Sequence, residues 1–152
     1  MENNKLVYKY FDDDDFLRIT NKIKELELKT SGEIRVLFKD SRSFFTKNKS
    51  VAQIAHDEFF RLKMNETRDK TGILLFFLLE ERSFYICADE GINSLVTQDT
   101  WDVIRDKIQL SFKEGNFLLG VLSGLDDIGS ILSKHFPRKS DDTNELSNAV
   151  EF

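Results

Sequence analysis

The sequence has few of the residues that build disulfide frameworks and zinc sites. It contains one cysteine, Cys87, and two histidines among 152 residues. A single cysteine allows no disulfide within the chain and gives no indication of an oxidising compartment. One cysteine and two isolated histidines also lack the ligand spacing of a zinc site. Cys87 is predicted to be a core thiol rather than a nucleophile, because the neighbouring Asp89 and Glu90 would raise its pKa.

Long apolar runs and an excess of basic residues are also missing. The longest apolar run ends at Leu79 after seven residues, which is too short to span a bilayer, and residues 1–15 do not resemble a signal peptide. These features predict a cytoplasmic protein without a membrane span. The chain carries 22 Lys and Arg against 27 Asp and Glu, and its net charge of -5 opposes binding to nucleic acid.

The sequence does contain a clear pattern of strands. Residues 72–79 form a continuous apolar run, residues 80–82 interrupt it with charge, and residues 83–88 resume with aromatic and β-branched side chains, which predicts a hairpin. Glu33 to Phe38 alternates between apolar and charged residues, as a half-exposed strand does. A helix that begins after Ser50 separates this strand from the hairpin. The order strand, helix, strand favours parallel pairing through a right-handed crossover.

Three further helices are predicted from the spacing of apolar residues. The first lies within residues 12–30, and its four leading aspartates are interpreted as helix capping rather than as a metal cluster. The second follows Thr97, and the third covers residues 117–136. The predicted fold is therefore α/β. A small mixed sheet, made of a parallel βαβ unit and an antiparallel hairpin, packs between helices as a three-layer αβα sandwich.

Glycines recur within the last predicted helix. Gly120, Gly124 and Gly129 each lower helix propensity by about 1 kcal/mol relative to alanine. Their presence predicts close packing of this helix, with a near approach to another backbone. The alternative is dimerisation within a membrane, which the charges of Asp126 and Asp127 oppose.

Four segments, in this order, resemble the TPM domain family: TSGEIRV at 30–36, TGILLFFLLEERSFYI at 71–86, DEGI at 89–92 and FKEGNFLLG at 112–120. The resemblance covers about residues 12–137, so residues 1–137 are predicted to form a TPM-like domain and 138–152 a polar, flexible tail. Family members have been linked to acid phosphatase activity, calcium binding, and assembly or maintenance of membrane complexes. Many also have a secretion signal and a membrane anchor, which are not expected here.

The resemblance directs attention to acidic residues at one end of the predicted sheet. Asp69 precedes the second strand and Asp89 follows the third, so antiparallel pairing would bring them together. Calcium takes six to eight oxygen ligands, and the residues predicted to supply them are Asp69, Asp89, Glu90, Asn93 and Asp99. The alternative is that these acids are ordinary turn and helix-start residues or are solvated.

Two functions follow from this interpretation. The first is a divalent-cation-modulated binding or assembly module, with a site at the loops around Asp69 and Asp89, Ca²⁺ as its cofactor and a protein as its partner. The alternative is a metal-dependent acid phosphatase-like hydrolase, in which Arg35, Arg68 and Lys70 would bind phosphate. The sequence identifies no catalytic residue and does not indicate the oligomeric state.

Overall fold

The first long helix begins with a capping box formed by Asp12 and Asp15. In the computed structural model, which describes residues 6–138 and 150–152, helix α1 covers Asp13–Glu27. The Asp12 carboxylate accepts a hydrogen bond from the Asp15 amide at 2.8 Å, and the Asp15 carboxylate accepts one from the Asp12 amide at 3.0 Å. Such reciprocal bonds satisfy amides that the helix leaves unpaired. The capping interpretation of the four aspartates is therefore confirmed.

Three strands form one mixed sheet. Strands β1 (Glu33–Lys39) and β2 (Gly72–Leu78) are parallel, and β3 (Ser83–Ala88) pairs antiparallel with β2 in the order β1-β2-β3. The apolar strand β2 lies at the centre of the sheet, and all of its residues are buried. The predicted βαβ unit and hairpin are both confirmed.

Four more helices complete the fold. They are α2 (Val51–Arg61), α3 (Glu90–Asn93), α4 (Gln98–Lys113) and α5 (Phe117–His135). Short 3-10 turns cover Val7–Lys9, Phe44–Thr46 and Met64–Glu66. Helix α2 begins after Ser50 as predicted and is capped by the Ser50 side chain, whereas Thr97 precedes α4 without a capping hydrogen bond from its side chain. Among the described residues, no helix combines the length and apolar character needed to cross a membrane.

The helices form layers on both faces of the sheet. Helices α1, α4 and α5 share one apolar core with Ile34, Val36 and Phe38 of β1. Helix α2 packs on the opposite face, where Leu37 belongs to a second core. The three-layer arrangement agrees with the prediction. The expectation that β1 is half-exposed is wrong, because every residue of the strand except Lys39 is buried.

Close helix packing depends on the predicted glycines. A methyl group at Gly124 would lie 2.5 Å from Ile108 Cδ1 of α4, and one at Gly129 would lie 2.6 Å from Leu26 Cδ2 of α1. Both distances are too short for carbon atoms. Helix α5 therefore packs closely on its two neighbours at positions where it lacks side chains, as predicted. The atoms nearest to Gly124 and Gly129 belong to side chains rather than to the predicted backbone.

The end of the chain returns to the sheet. The Phe38 amide donates to the Glu151 carbonyl at 3.0 Å, and the Glu151 amide donates to the Val36 carbonyl at 2.9 Å. Val150 is buried, and the Phe152 ring contacts the Phe16 ring at a centroid distance of 4.9 Å. Residues 139–149 of the predicted tail lie outside the described residues. The domain boundary at residue 137 stays a prediction.

Candidate functional site

Two loops meet where β2 begins and β3 ends. One, residues 67–71, precedes β2, and the other, residues 89–93, follows β3 and contains the short helix α3. The Asp89 amide donates to the Gly72 carbonyl at 2.9 Å, and the Gly91 amide donates to the Lys70 carbonyl at 2.9 Å. These bonds extend the β2–β3 pairing, in which Ile73 lies opposite Ala88. The two loops form a continuous surface, named the loop junction below.

Gly91 allows the loops to approach each other. A methyl group at this position would overlap the carbonyl oxygens of Asp69 and Lys70 and would lie 2.9 Å from the Lys70 carbonyl carbon. Backbone atoms cannot move aside as the end of a flexible side chain can. The loop junction therefore requires a residue without Cβ at position 91.

Asp89 has an unsatisfied oxygen at this junction. Its Oδ1 accepts a hydrogen bond from the Glu90 amide at 2.8 Å, which caps the short helix α3. Its Oδ2 is buried and has no hydrogen-bond partner among the described atoms. A buried polar atom without a partner is costly, and such atoms in native proteins often contact a water molecule or an ion. Among the five predicted metal ligands, Asp89 is the one with such an oxygen in the described part of the chain.

The other predicted ligands have different environments. Asp69 is exposed, and its Oδ2 accepts a long hydrogen bond of 3.4 Å from Arg68 Nε. Glu90 is exposed on α3, and Asp99 is exposed in the first turn of α4, where a carboxylate also stabilises the helix dipole. Asn93 Nδ2 donates to the Ala88 carbonyl at 2.8 Å, so this side chain fixes the end of β3.

The carboxylates alone do not form a metal centre. Within residues 6–138 and 150–152, no three His, Cys, Asp or Glu side chains are grouped so that they could hold a metal ion. A cation at the loop junction would also need backbone carbonyls, the Asn93 amide oxygen and water, all of which suit calcium. The assignment of Asp69, Asp89, Glu90, Asn93 and Asp99 as metal ligands stays a prediction.

The predicted phosphate-binding residues lie in two environments. Arg68 and Lys70 are exposed in the 67–71 loop, and Lys70 Nζ donates to the Asn65 carbonyl at 2.6 Å. Arg35 is only 7% exposed and lies within β1 opposite Leu74 of β2. An anion could approach Arg68 and Lys70 from solvent, whereas Arg35 is enclosed in the protein. The role of these three residues in phosphate binding stays a prediction.

A contact between Cys87 and His56 was not predicted. Cys87 Sγ lies 3.3 Å from His56 Nδ1 because α2 packs over β3. Burial, with a smaller contribution from the charge of Asp89, raises the pKa of the Cys87 thiol to about 12. The thiol therefore stays protonated at neutral pH, in agreement with the expectation that it is a core residue. The two residues are far apart in the sequence and share no motif that could have indicated the contact.

Comparisons with known proteins give a family model and a solved structure that match most of the chain. The model of the TPM domain family matches residues 8–131. The chain is similar to the NMR structure of the BA42 protein from the psychrophilic bacterium Bizionia argentinensis, with 37% identity and a TM-score of 0.83 over 93% of this chain and 94% of that chain. No curated protein matches the sequence.

Two more distant solved structures share the fold alone. One is the N-terminal domain of a protein from P. gingivalis, with 14% identity and a TM-score of 0.67 over 84% of this chain and 79% of that chain. The other is the N-terminal domain of the cg2496 protein from Corynebacterium glutamicum, with 14% identity and a TM-score of 0.61 over 86% and 78% of the two chains.

Proposed function

Because the chain belongs to the TPM domain family, we propose that it is a binding or assembly module controlled by a divalent cation at the loop junction. The observation that supports this proposal most directly is the buried Asp89 Oδ2, which has no hydrogen-bond partner among the described atoms. A calcium ion next to Asp89 would compensate this oxygen.

The chemistry of the junction suits a weak, oxygen-rich cation site. The Asp69 and Lys70 carbonyls lie against Gly91, and Asp69, Glu90, Asn93 and Asp99 belong to the same loops or to the start of the next helix. Because no group of three acidic side chains is prearranged in the described part of the chain, we expect a dissociation constant for Ca²⁺ on the order of 10⁻⁴–10⁻³ M.

Cation binding would couple the two loops. The junction is now held by backbone hydrogen bonds from Asp89 and Gly91, and an ion that contacts both loops would restrict their relative motion. A protein partner that recognises the ordered junction would then bind more tightly in the presence of the cation. In the module that we propose, the divalent cation therefore controls the affinity for the protein partner.

An NMR titration with CaCl₂ tests the proposal. We expect amide shifts confined to residues near Asp69, Asp89 and Asn93. Asp89→Asn should raise the dissociation constant for Ca²⁺ at least tenfold, because it removes the charge at the buried oxygen. Asp106→Asn is the matched control, since Asp106 is an exposed acid on α4. An unchanged spectrum, or an equal response from both variants, would contradict the proposal.

The hydrolase alternative has one observation in its favour, which is the exposure of Arg68 and Lys70 beside Asp69. Release of phosphate from p-nitrophenyl phosphate, measured with and without divalent cation, tests it. Cation-dependent release that disappears in both Asp69→Asn and Asp89→Asn would favour the hydrolase. Release that persists in both variants would show that these carboxylates are not its catalytic groups.

A further inference from the structure

A pocket opens at the opposite end of the sheet from the loop junction. It has a volume of about 530 Å³ and lies where β2 ends and β3 begins, between the hairpin turn and the loop that joins α4 to α5. This volume falls within the range of small-molecule sites, about 300–1,000 Å³. None of the predicted metal or phosphate ligands lines this pocket.

Of the thirteen described residues that line the pocket, six are aromatic. Phe77 stacks on Phe84 and Phe112 at centroid distances of 5.3 and 5.6 Å, and Phe117 packs edge-on against Phe112 at 5.3 Å. Tyr10 packs against Phe117 at 4.8 Å. Phe11 and Phe77 are buried, whereas the rings of Tyr10, Phe84, Phe112 and Phe117 are only partly buried. The pocket therefore presents aromatic surface to a ligand.

The charged residues that line the pocket in the described part of the chain are of one sign. Among the described residues, Arg82 and Lys113 are the only charged ones in the lining, although the whole chain has a net charge of -5. Both side chains are exposed, and neither makes an ion pair or a side-chain hydrogen bond with a residue that the structure describes. The Arg82 amide donates to the Leu79 carbonyl at 3.0 Å within the hairpin turn, which holds its backbone beside the aromatic wall.

We propose that this pocket binds a small amphiphilic carboxylate. The apolar body of the ligand lies against the aromatic rings, and its carboxylate pairs with Arg82 and Lys113. A guanidinium group can donate two parallel hydrogen bonds to a carboxylate, and the ammonium adds a second positive charge. A neutral apolar ligand would fill the same volume but leave both cations without a partner. A cationic ligand would be repelled.

Three eight-carbon probes of different charge test the proposal by amide NMR titration: octanoate, 1-octanol and octylammonium. We expect octanoate to shift the amides of Ser83, Gln109 and Gly115, all of which line the pocket. We expect it to bind about tenfold more tightly than 1-octanol, because the charge interactions are absent for the alcohol. Octylammonium is expected to bind most weakly. Titration with 2-naphthoate repeats the measurement with an aromatic body, and preferential binding of either carboxylate supports the proposal.

A double variant that removes both positive charges from the pocket shows whether Arg82 and Lys113 select the ligand. Arg82→Gln with Lys113→Gln should remove the preference for octanoate over 1-octanol and leave the affinity for 1-octanol unchanged. Lys24→Gln with Lys134→Gln makes the same change in net charge at exposed positions outside the pocket and should retain the preference. A preference retained by the pocket variant would overturn the assignment of the cations.

A blocking variant tests the cavity independently of charge. Gln109 lines the pocket from an exposed position on α4, so Gln109→Trp should fill space without disturbing the core. We expect this substitution to weaken the binding of both octanoate and 1-octanol at least tenfold. The absence of pocket shifts for both carboxylates in the unmodified protein, or unchanged binding in Gln109→Trp, would overturn the proposal. A calcium titration reports on the other end of the sheet and can fail without affecting this result.

Discussion

Two carboxyl groups contact each other inside the protein. The side chains of Glu27 and Glu33 are hydrogen bonded, and only 5% and 3% of their surfaces are exposed. Burial is the main reason that the pKa of Glu27 rises to about 8, and the charge of Glu33 raises it further. The Ile34 amide, which donates to Glu27 Oε2 at 2.6 Å, and the charge of Arg138 oppose the increase. At neutral pH the Glu27 carboxyl group therefore retains its proton.

This proton makes the free energy of unfolding depend on pH. The pKa of Glu27 is higher in the folded state than its ordinary value of 4.5, so the folded state binds more protons between about pH 4.5 and 8. The resulting stabilisation is complete below pH 4.5 and is lost as the pH rises through 8. Glu27→Gln keeps a hydrogen-bond donor toward Glu33 without this titration. We expect the variant to lose less stability between pH 5 and 9 than the unmodified protein, by at least about 1 kcal/mol.

Urea unfolding at several pH values measures this difference. Glu25→Gln is the matched control, because Glu25 is an exposed acid on the same helix. A parallel pH dependence in the Glu27→Gln variant and the unmodified protein would contradict the assigned proton. The sequence could not predict this pair, since Glu33 alternates with apolar residues as if it faced solvent. The pair is buried where the end of α1 meets the start of β1, and Arg138 donates to the Glu27 carbonyl beside it at 2.8 Å.

The elements themselves were largely predictable. The hairpin, the crossover helix and the capped start of α1 depend on apolar spacing and on residues near each other in the chain, and all three occur in the structure. The burial of Arg35 was not predicted, because alternation alone does not show whether the polar-looking face of β1 is covered in the fold. The candidate site was predictable only in part. Strand pairing indicates that the loops of Asp69 and Asp89 meet, but it does not determine where their side-chain oxygens point.

The contact between these two loops leads to a prediction about Gly91. In Gly91→Ala the new methyl group would overlap the Asp69 and Lys70 carbonyls, so the loops must separate. We expect a loss of about 1–3 kcal/mol in the free energy of unfolding, measured in urea, together with loss of any calcium response. Leu95→Ala is the control, because Leu95 is an exposed side chain in the segment that follows α3. Equal stability of the two variants would show that the loops can separate without cost.

At the scale of the whole molecule, the last residues close an edge of the sheet. Strand β1 has β2 on only one side, and an uncovered edge strand can pair with another chain. The backbone of Glu151 makes two hydrogen bonds with the open side of β1, while Val150 and Phe152 add apolar contacts. This pairing was not predicted, because so few residues show no strand periodicity. Only the folded arrangement brings the chain end next to β1.

Removal of residues 150–152 tests what this pairing contributes. The truncated protein loses two backbone hydrogen bonds, the buried Val150 side chain and the contact between Phe152 and Phe16, so we expect it to be less stable by about 1–3 kcal/mol. The Phe38 amide, which donates to the Glu151 carbonyl, should exchange with deuterium faster than in the full chain.

Glu151→Ala is the control for the truncation, because the pairing uses only the backbone of this residue and should survive the substitution. Exchange at Phe38 should therefore remain slow in Glu151→Ala and become fast only in the truncated chain. If the Phe38 amide exchanged equally slowly in the truncated chain and in Glu151→Ala, residues 150–152 would contribute nothing to the edge of β1. Concentration-dependent self-association of the truncated protein alone would show further that residues 150–152 protect the edge of β1 from other chains.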